Sequence, residues 1–120
     1  MKSKMIRIPW PCQMHDHWRL DELMESLAPH QSLCEYSVVM PNLPEEPVLG
    51  SLRKNWYLAT LRQSFQGGGP GLLMTCQLTP ETPLDEIEHS SERGVFAWKG
   101  YSRNVTTNSD YGIEEWDSPE

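Results

Sequence analysis

Three times along this chain a short apolar run gives way to a stretch with helical spacing, and a fourth apolar run closes the series. Residues 5–14 alternate in part, carry Pro9 and Pro11, and predict a short strand ending at Met14. Leu20, Leu23, Met24 and Leu27 recur at helical spacing over residues 20–28, with Asp21 and Glu22 in the first turn and Pro29 as the expected stop. Tyr36–Met40 is a β-branched run closed by Pro41-Asn42. Leu49, Leu52, Trp56, Ala59, Leu61 and Phe65 predict the apolar stripe of a second helix, ended by Gly67-Gly68-Gly69-Pro70. Gly71–Leu78 reads as a third strand. Thr82-Pro83-Leu84-Asp85 opens a third helix running to about Arg93, and Gly94–Lys99 reads as a fourth strand. A strand, helix, strand order implies a parallel sheet with crossover helices, hence an α/β fold.

Composition narrows the function classes. With 120 residues the chain is long enough for one domain, so residues 1–120 are expected to form a single unit. Ten Lys and Arg against seventeen Asp and Glu give a net charge of −7. No basic stripe is available to displace counterions from a phosphate backbone, so nucleic acid is not an expected partner. No apolar run approaches the ~20 residues of a membrane span, and the N-terminus lacks the apolar core of a secretory signal. Cys12, Cys34 and Cys76 are odd in number, widely spaced and without a CxxC pair. A reducing compartment is therefore the default, and a cytoplasmic location is expected.

Parallel α/β folds place ligand-handling residues at the C-terminal ends of their strands. His15, His17, Asn42 and Lys99 each fall at or just beyond such an end. In an extended chain, residues two apart point to one face, so the imidazoles of His15-Asp16-His17 can share a metal ion; chance spacing gives the same pattern. Arg19 continues that line and can grip a carboxylate through its fork, or can be an ordinary surface arginine. Lys99 ends an otherwise apolar strand. Buried there, its amine would lose charge and become able to add carbon dioxide as a carbamate; the alternative is a side chain that snorkels to water. Asn104-Val105-Thr106 matches a glycosylation sequon without a signal peptide to support it, and His30 and His89 sit near helix ends as expected surface residues. Cys76 lies mid-strand and reads as a small buried hydrophobe.

Four segments together carry a family resemblance: Met14-His15-Asp16-His17-Trp18-Arg19, Val38-Val39-Met40-Pro41-Asn42-Leu43, Leu73-Met74-Thr75, and the run from Lys99 to Glu114 that contains Thr106-Thr107-Asn108-Ser109. In order and spacing they resemble the compact dihydroorotases of the amidohydrolase superfamily, over residues 5 to 115. The resemblance implies part of a (β/α)8 TIM barrel, about its first four strands with three crossover helices. It implies two zinc ions, with His15 and His17 on the more buried one and Lys99 carboxylated and bridging both. Arg19 and Asn42 would hold the carboxylate of the substrate. The implied reaction is the reversible opening of dihydroorotate to carbamoyl-aspartate, a step of pyrimidine synthesis.

Some positions differ from the family pattern. Leu20-Asp21 follow Arg19 where an acidic residue and glycine are usual, and Ser102 stands where a proline is expected. Such a barrel takes ~250 residues. The family's later histidines and its general-base aspartate would lie beyond Glu120, so this length alone is expected to be inactive or nearly so. Two unpaired strand edges are also expected, with association through them, including a homodimer. The alternatives are another cyclic amidase of the hydantoinase or allantoinase kind, and a non-catalytic remnant or partner subunit.

Overall fold

A computed structural model of the chain describes residues 5–66 and 68–116. Its elements alternate as the sequence predicts: β1 Cys12–Asp16, α1 Glu22–Gln31, β2 Tyr36–Val39, α2 Ser51–Ser64, β3 Gly71–Leu78, α3 Leu84–Glu88 and β4 Ala97–Gly100. The strands form one parallel sheet in the order β1-β2-β3-β4. β3 pairs with β2 through Gly71–Met74 but with β4 through Thr75–Leu78. That stagger curls the sheet into half of a barrel wall.

The convex face carries the core. Trp18, Val39, Tyr57, Leu61, Met74 and Cys76 pack there between strands and helices. Opposite them, on the concave face, lie the residues of alternate parity. This division follows from the period-two geometry of strands.

Several boundaries differ from the sequence expectation, each for a local reason. β1 begins at Cys12 and runs past Met14 to Asp16. Prolines lack the N–H that a ladder needs, so residues 5–11 stay outside it; pairing starts where the Pro11 carbonyl accepts from Glu35 N at 2.8 Å. α1 continues through Pro29 to Gln31. The proline sits in the last turn, and the carbonyl it leaves without a donor belongs to exposed Glu25, where water can serve. Of its expected stripe only Met24 is buried, and Leu23 is 57 % exposed.

α2 is rotated relative to its predicted stripe. Lys54, Tyr57 and Leu61 face inward, while Leu52 is 85 % exposed and Trp56 lies beneath the Arg53 guanidinium at 3.8 Å. Two backbone acceptors set that rotation: Tyr57 Oη donates to Trp18 O at 2.5 Å and Lys54 Nζ to Gly94 O at 3.2 Å. α3 is only five residues long. Ser90 Oγ donates to Glu86 O and Ile87 O, competing with helix continuation, and Gly94 at φ +68° turns the chain toward β4. β4 therefore starts at Ala97 and not at Gly94. In the predicted Gly67–Pro70 terminator, Gly67 lies outside the described residues, as do positions 117–120 of the acidic tail.

Cys76 illustrates the packing. Desolvation pushes its thiol up to about 12, with the Lys54 charge opposing and Glu86 adding to the shift. A thiol reagent near neutral pH should label exposed Cys12 and leave Cys76 untouched until the chain unfolds, as read by peptide mass spectrometry. The raised value also fixes a sign. The folded chain holds its proton where the unfolded thiol has ionised, so stability present below the ordinary 9.0 declines as pH rises toward about 12. Urea titrations at pH 8 and about 10 should show a shallower loss in Cys76→Ala. Equal slopes would mean that the site is wet.

Candidate active site

The irregularity in β1 decides which side chains meet. Gln13 pairs with Ser37 and Asp16 with Val39, so β1 spends one extra residue between them. This bulge puts Asp16 and Trp18 on the convex face and His15 and His17 on the concave one. Asp16 accepts from Ser37 Oγ at 2.8 Å and from Gln31 Nε2 at 3.4 Å, and Trp18 Nε1 donates to the same Ser37 hydroxyl at 3.2 Å. Burial raises the Asp16 carboxyl, opposed by the Ser37 bond and the nearby His15. Sequence reasoning gave Asp16 no role of its own. The signal was there: the residue between two that share a face must serve the opposite one.

On the concave side the two Nε2 atoms of His15 and His17 lie 3.0 Å apart. A cleft of ≈ 510 Å³ is lined by both, together with Arg19, Asn42, Lys99, Tyr101 and the loop to Thr107. All five residues singled out from the sequence therefore face one space. His17 is lowered from its ordinary value, chiefly by burial, then by the charges of His15 and Arg19; a hydrogen bond from its ring to the Asn42 side chain opposes, and Lys99 adds a smaller push. The neutral imidazole is thus favoured, which is the form that ligates metal.

Of the two readings of Lys99, buried or reaching toward water, the structure lies nearer the second. The residue is half-buried on an edge strand and not enclosed, with Nζ 5.7 Å from the centre of the Tyr101 ring. Asn42 is buried and holds the loop after β4. Its Oδ1 accepts from Tyr101 Oη at 3.0 Å, its Nδ2 donates to Thr107 O at 2.9 Å, and its own carbonyl accepts from Asn108 Nδ2 at 3.2 Å. One Nδ2 hydrogen remains for a ligand. Tyr101 was not foreseen, although it stands two residues beyond Lys99 and so shares its face. Asn42→Ala should cost about 1–3 kcal/mol, since the buried Tyr101 hydroxyl and the Thr107 carbonyl lose their bonds. It should also speed amide exchange across residues 101–109; unchanged protection there would show that the loop is held by something else.

The donor set bears on a metal ion. Zinc–nitrogen bonds of about 2.0–2.1 Å in tetrahedral geometry place two nitrogens roughly 3.3 Å apart, so the His15–His17 pair needs to open by only a few tenths of an ångström. Among the described residues no group of three or more His, Cys, Asp or Glu is placed to hold a metal. The pair fits one edge of a coordination sphere and leaves the rest to other ligands. His89 lies elsewhere, its Nδ1 against Asp85 O at 2.9 Å. A larger cleft of ≈ 690 Å³ between Thr79–Pro83 and Ile113–Glu115 contains none of the five residues.

No protein-family model matches the chain. A dihydroorotase of Mycosarcoma maydis is 34 % identical over 124 residues, spanning 98 % of this chain and 30 % of the relative. One from Salmonella heidelberg is 31 % identical over 118 residues, spanning 97 % of this chain and 34 % of the relative. The crystal structure of Saccharomyces cerevisiae dihydroorotase in complex with 5-fluoroorotic acid superposes with a TM-score of 0.74 at 28 % identity, covering 87 % of this chain and 29 % of that one. The chain is homologous to the N-terminal portion of dihydroorotases. Campylobacter jejuni dihydroorotase gives a TM-score of 0.78 at 26 % identity, over 89 % of this chain and 31 % of that one. The chain spans about a third of the length of the dihydroorotases it matches. Its four-stranded curled sheet is thus the first part of their TIM-barrel fold.

Proposed function

We propose that this chain supplies one part of a dihydroorotase-type site for the reversible hydrolysis of dihydroorotate to carbamoyl-aspartate. The observation that carries the reading is the meeting of His15, His17, Arg19, Asn42 and Lys99 at a single cleft at the C-terminal ends of the strands. His15 and His17 would hold zinc. When bound, the metal supplies a Lewis acid for the ring carbonyl and a water of lowered pKa.

The chain's own residues have separate tasks. Arg19 offers a bidentate fork to the substrate carboxylate, and the free Nδ2 hydrogen of Asn42 donates to the same group. Lys99, carboxylated by carbon dioxide with loss of one N–H proton, would add an anionic oxygen ligand to the metal site. Further histidines and a general-base aspartate are needed in addition, so these 120 residues alone are proposed to be inactive. Among the described residues no helix is long and apolar enough to cross a membrane, and a cytoplasmic setting suits the reading.

The test is complementation. The chain is refolded with the remaining segment of the Salmonella heidelberg relative and assayed on dihydroorotate, hydantoin and allantoin. Turnover of dihydroorotate, lost in Lys99→Ala, is the expected result. Turnover of hydantoin or allantoin in its place would overturn the assignment.

A further inference from the structure

Gln77 is 0 % exposed, yet both ends of its carboxamide, Oε1 and Nε2, are without a hydrogen-bond partner among the described residues. Its backbone is held, with Gln77 N donating to Val48 O at 2.7 Å, so only the side-chain amide is left over. A buried polar group costs free energy for each bond it does not make, and packing alone gives no reason for a carboxamide here. The alternation of β3 sends Cys76 into the core and Gln77 to the concave face. Other polar side chains of that face are committed elsewhere. Thr75 Oγ1 donates to Val39 O, Tyr101 Oη to Asn42 Oδ1, and Asn42 Nδ2 to Thr107 O.

Lys99 stands next to it. The two are register partners in the β3–β4 ladder, so their side chains leave strands about 4.8 Å apart on the same face. As an ammonium, Lys99 has donors only; it could satisfy Oε1 but would leave Nε2 stranded. A carbamate on Nζ carries one N–H and two oxygens sharing a negative charge. It matches the carboxamide at both ends: Oε1 accepts from the carbamate N–H, and Nε2 donates to a carbamate oxygen. We propose that Gln77 is a positioning residue that holds Lys99 in its carboxylated form through this pair of bonds. In the step itself Nζ bonds to the carbon of carbon dioxide, one N–H bond breaks, and its proton leaves to solvent. The anionic acceptor makes the Nε2 bond one of the strong kind. Gln77 does not line the cleft, so its influence falls on Lys99 and not on a bound substrate. The inference rests on the Lys99 carboxylation proposed above. Its own evidence, the walled-off amide, lies wholly within the described residues.

The test reads the carbamate directly, on the metal-free chain titrated with isotopically labelled bicarbonate at constant pH. Carbon NMR follows the carbamate carbon, and Lys99→Arg identifies the Lys99 signal by its loss. Gln77→Leu should raise the bicarbonate concentration at half-occupancy about tenfold or more, as expected for the loss of a hydrogen bond to a charged group. Gln77→Glu keeps the shape but replaces the donor with a negative charge, and should suppress the signal further. The side-chain amide protons of Gln77, identified by their loss in Gln77→Leu, should shift with the midpoint at which the carbamate appears. They should stay in place in Lys99→Arg. Stability should move the other way: without bicarbonate, Gln77→Leu removes two unpartnered atoms and should melt at or above the unsubstituted chain. A lower melting temperature would mean that the amide is bonded within the fold. An unchanged midpoint in Gln77→Leu would mean that the carbamate is held without it. Either result overturns the role of Gln77 and leaves the proposed function standing. Absence of the Lys99 carbamate from the unsubstituted chain would instead overturn the carboxylation itself, and this inference with it.

Discussion

His15→Ala and His17→Ala should each lower the zinc affinity of the chain by about two orders of magnitude or more. Structural zinc sites release roughly 10–16 kcal/mol through four ligands, so one imidazole accounts for about 2.5–4 kcal/mol. Both nitrogens are already aimed together at 3.0 Å, so little reorganisation dilutes that contribution. The fold should survive either change. His15 is exposed and His17 half-buried on the concave face, and neither belongs to the core cluster. The measurement is competition with a chromophoric chelator, alongside circular dichroism to show an intact sheet. His30→Ala is the control, because His30 lies in the last turn of α1, away from the cleft. Equal affinities in all three variants would remove the metal role from the proposed function and leave the fold assignment untouched.

The order of elements was legible because turn punctuation and β-branched runs are local signals. Gly71–Leu78 appears with its expected bounds for this reason. The convergence of five polar residues was legible as well, since parallel α/β sheets bring strand ends together whatever the loops between them. What the sequence concealed was rotation. A helical wheel ranks Leu52 and Trp56 above Lys54 and Tyr57, yet the latter pair faces inward. Each has a long apolar stem and a polar tip, and each tip finds a backbone carbonyl, at Gly94 and at Trp18. Hydropathy alone carries no information about where an acceptor lies. The exposure of Leu23 and Leu52 was hidden for a related reason, because a pattern of apolar spacing does not say whether a neighbour is present to cover it.

Trp18 joins the site to the core, and Trp18→Ala should therefore be the most damaging single substitution, costing about 3–5 kcal/mol. The indole is 1 % exposed, stands edge-on to Phe65 at 5.0 Å, and donates to Ser37 Oγ. Its removal opens a cavity at the centre of the cluster and takes a donor from the hydroxyl that also serves Asp16. A domain of this size is stabilised by only about 5–15 kcal/mol in total, so much of the margin disappears. The local consequence is larger than the cavity. His17 and Arg19 flank Trp18, and the Tyr57 bond to its carbonyl fixes the backbone that aims them. Trp18→Phe keeps a ring without the N–H and should cost less, while Tyr57→Phe leaves the ring in place and should cost about 1–3 kcal/mol by stranding the Trp18 carbonyl. Urea titration followed by far-ultraviolet circular dichroism ranks the three. If Trp18→Ala proved no worse than Tyr57→Phe, the indole would be a passive filler, and the imidazoles would have to be aimed by the strand alone.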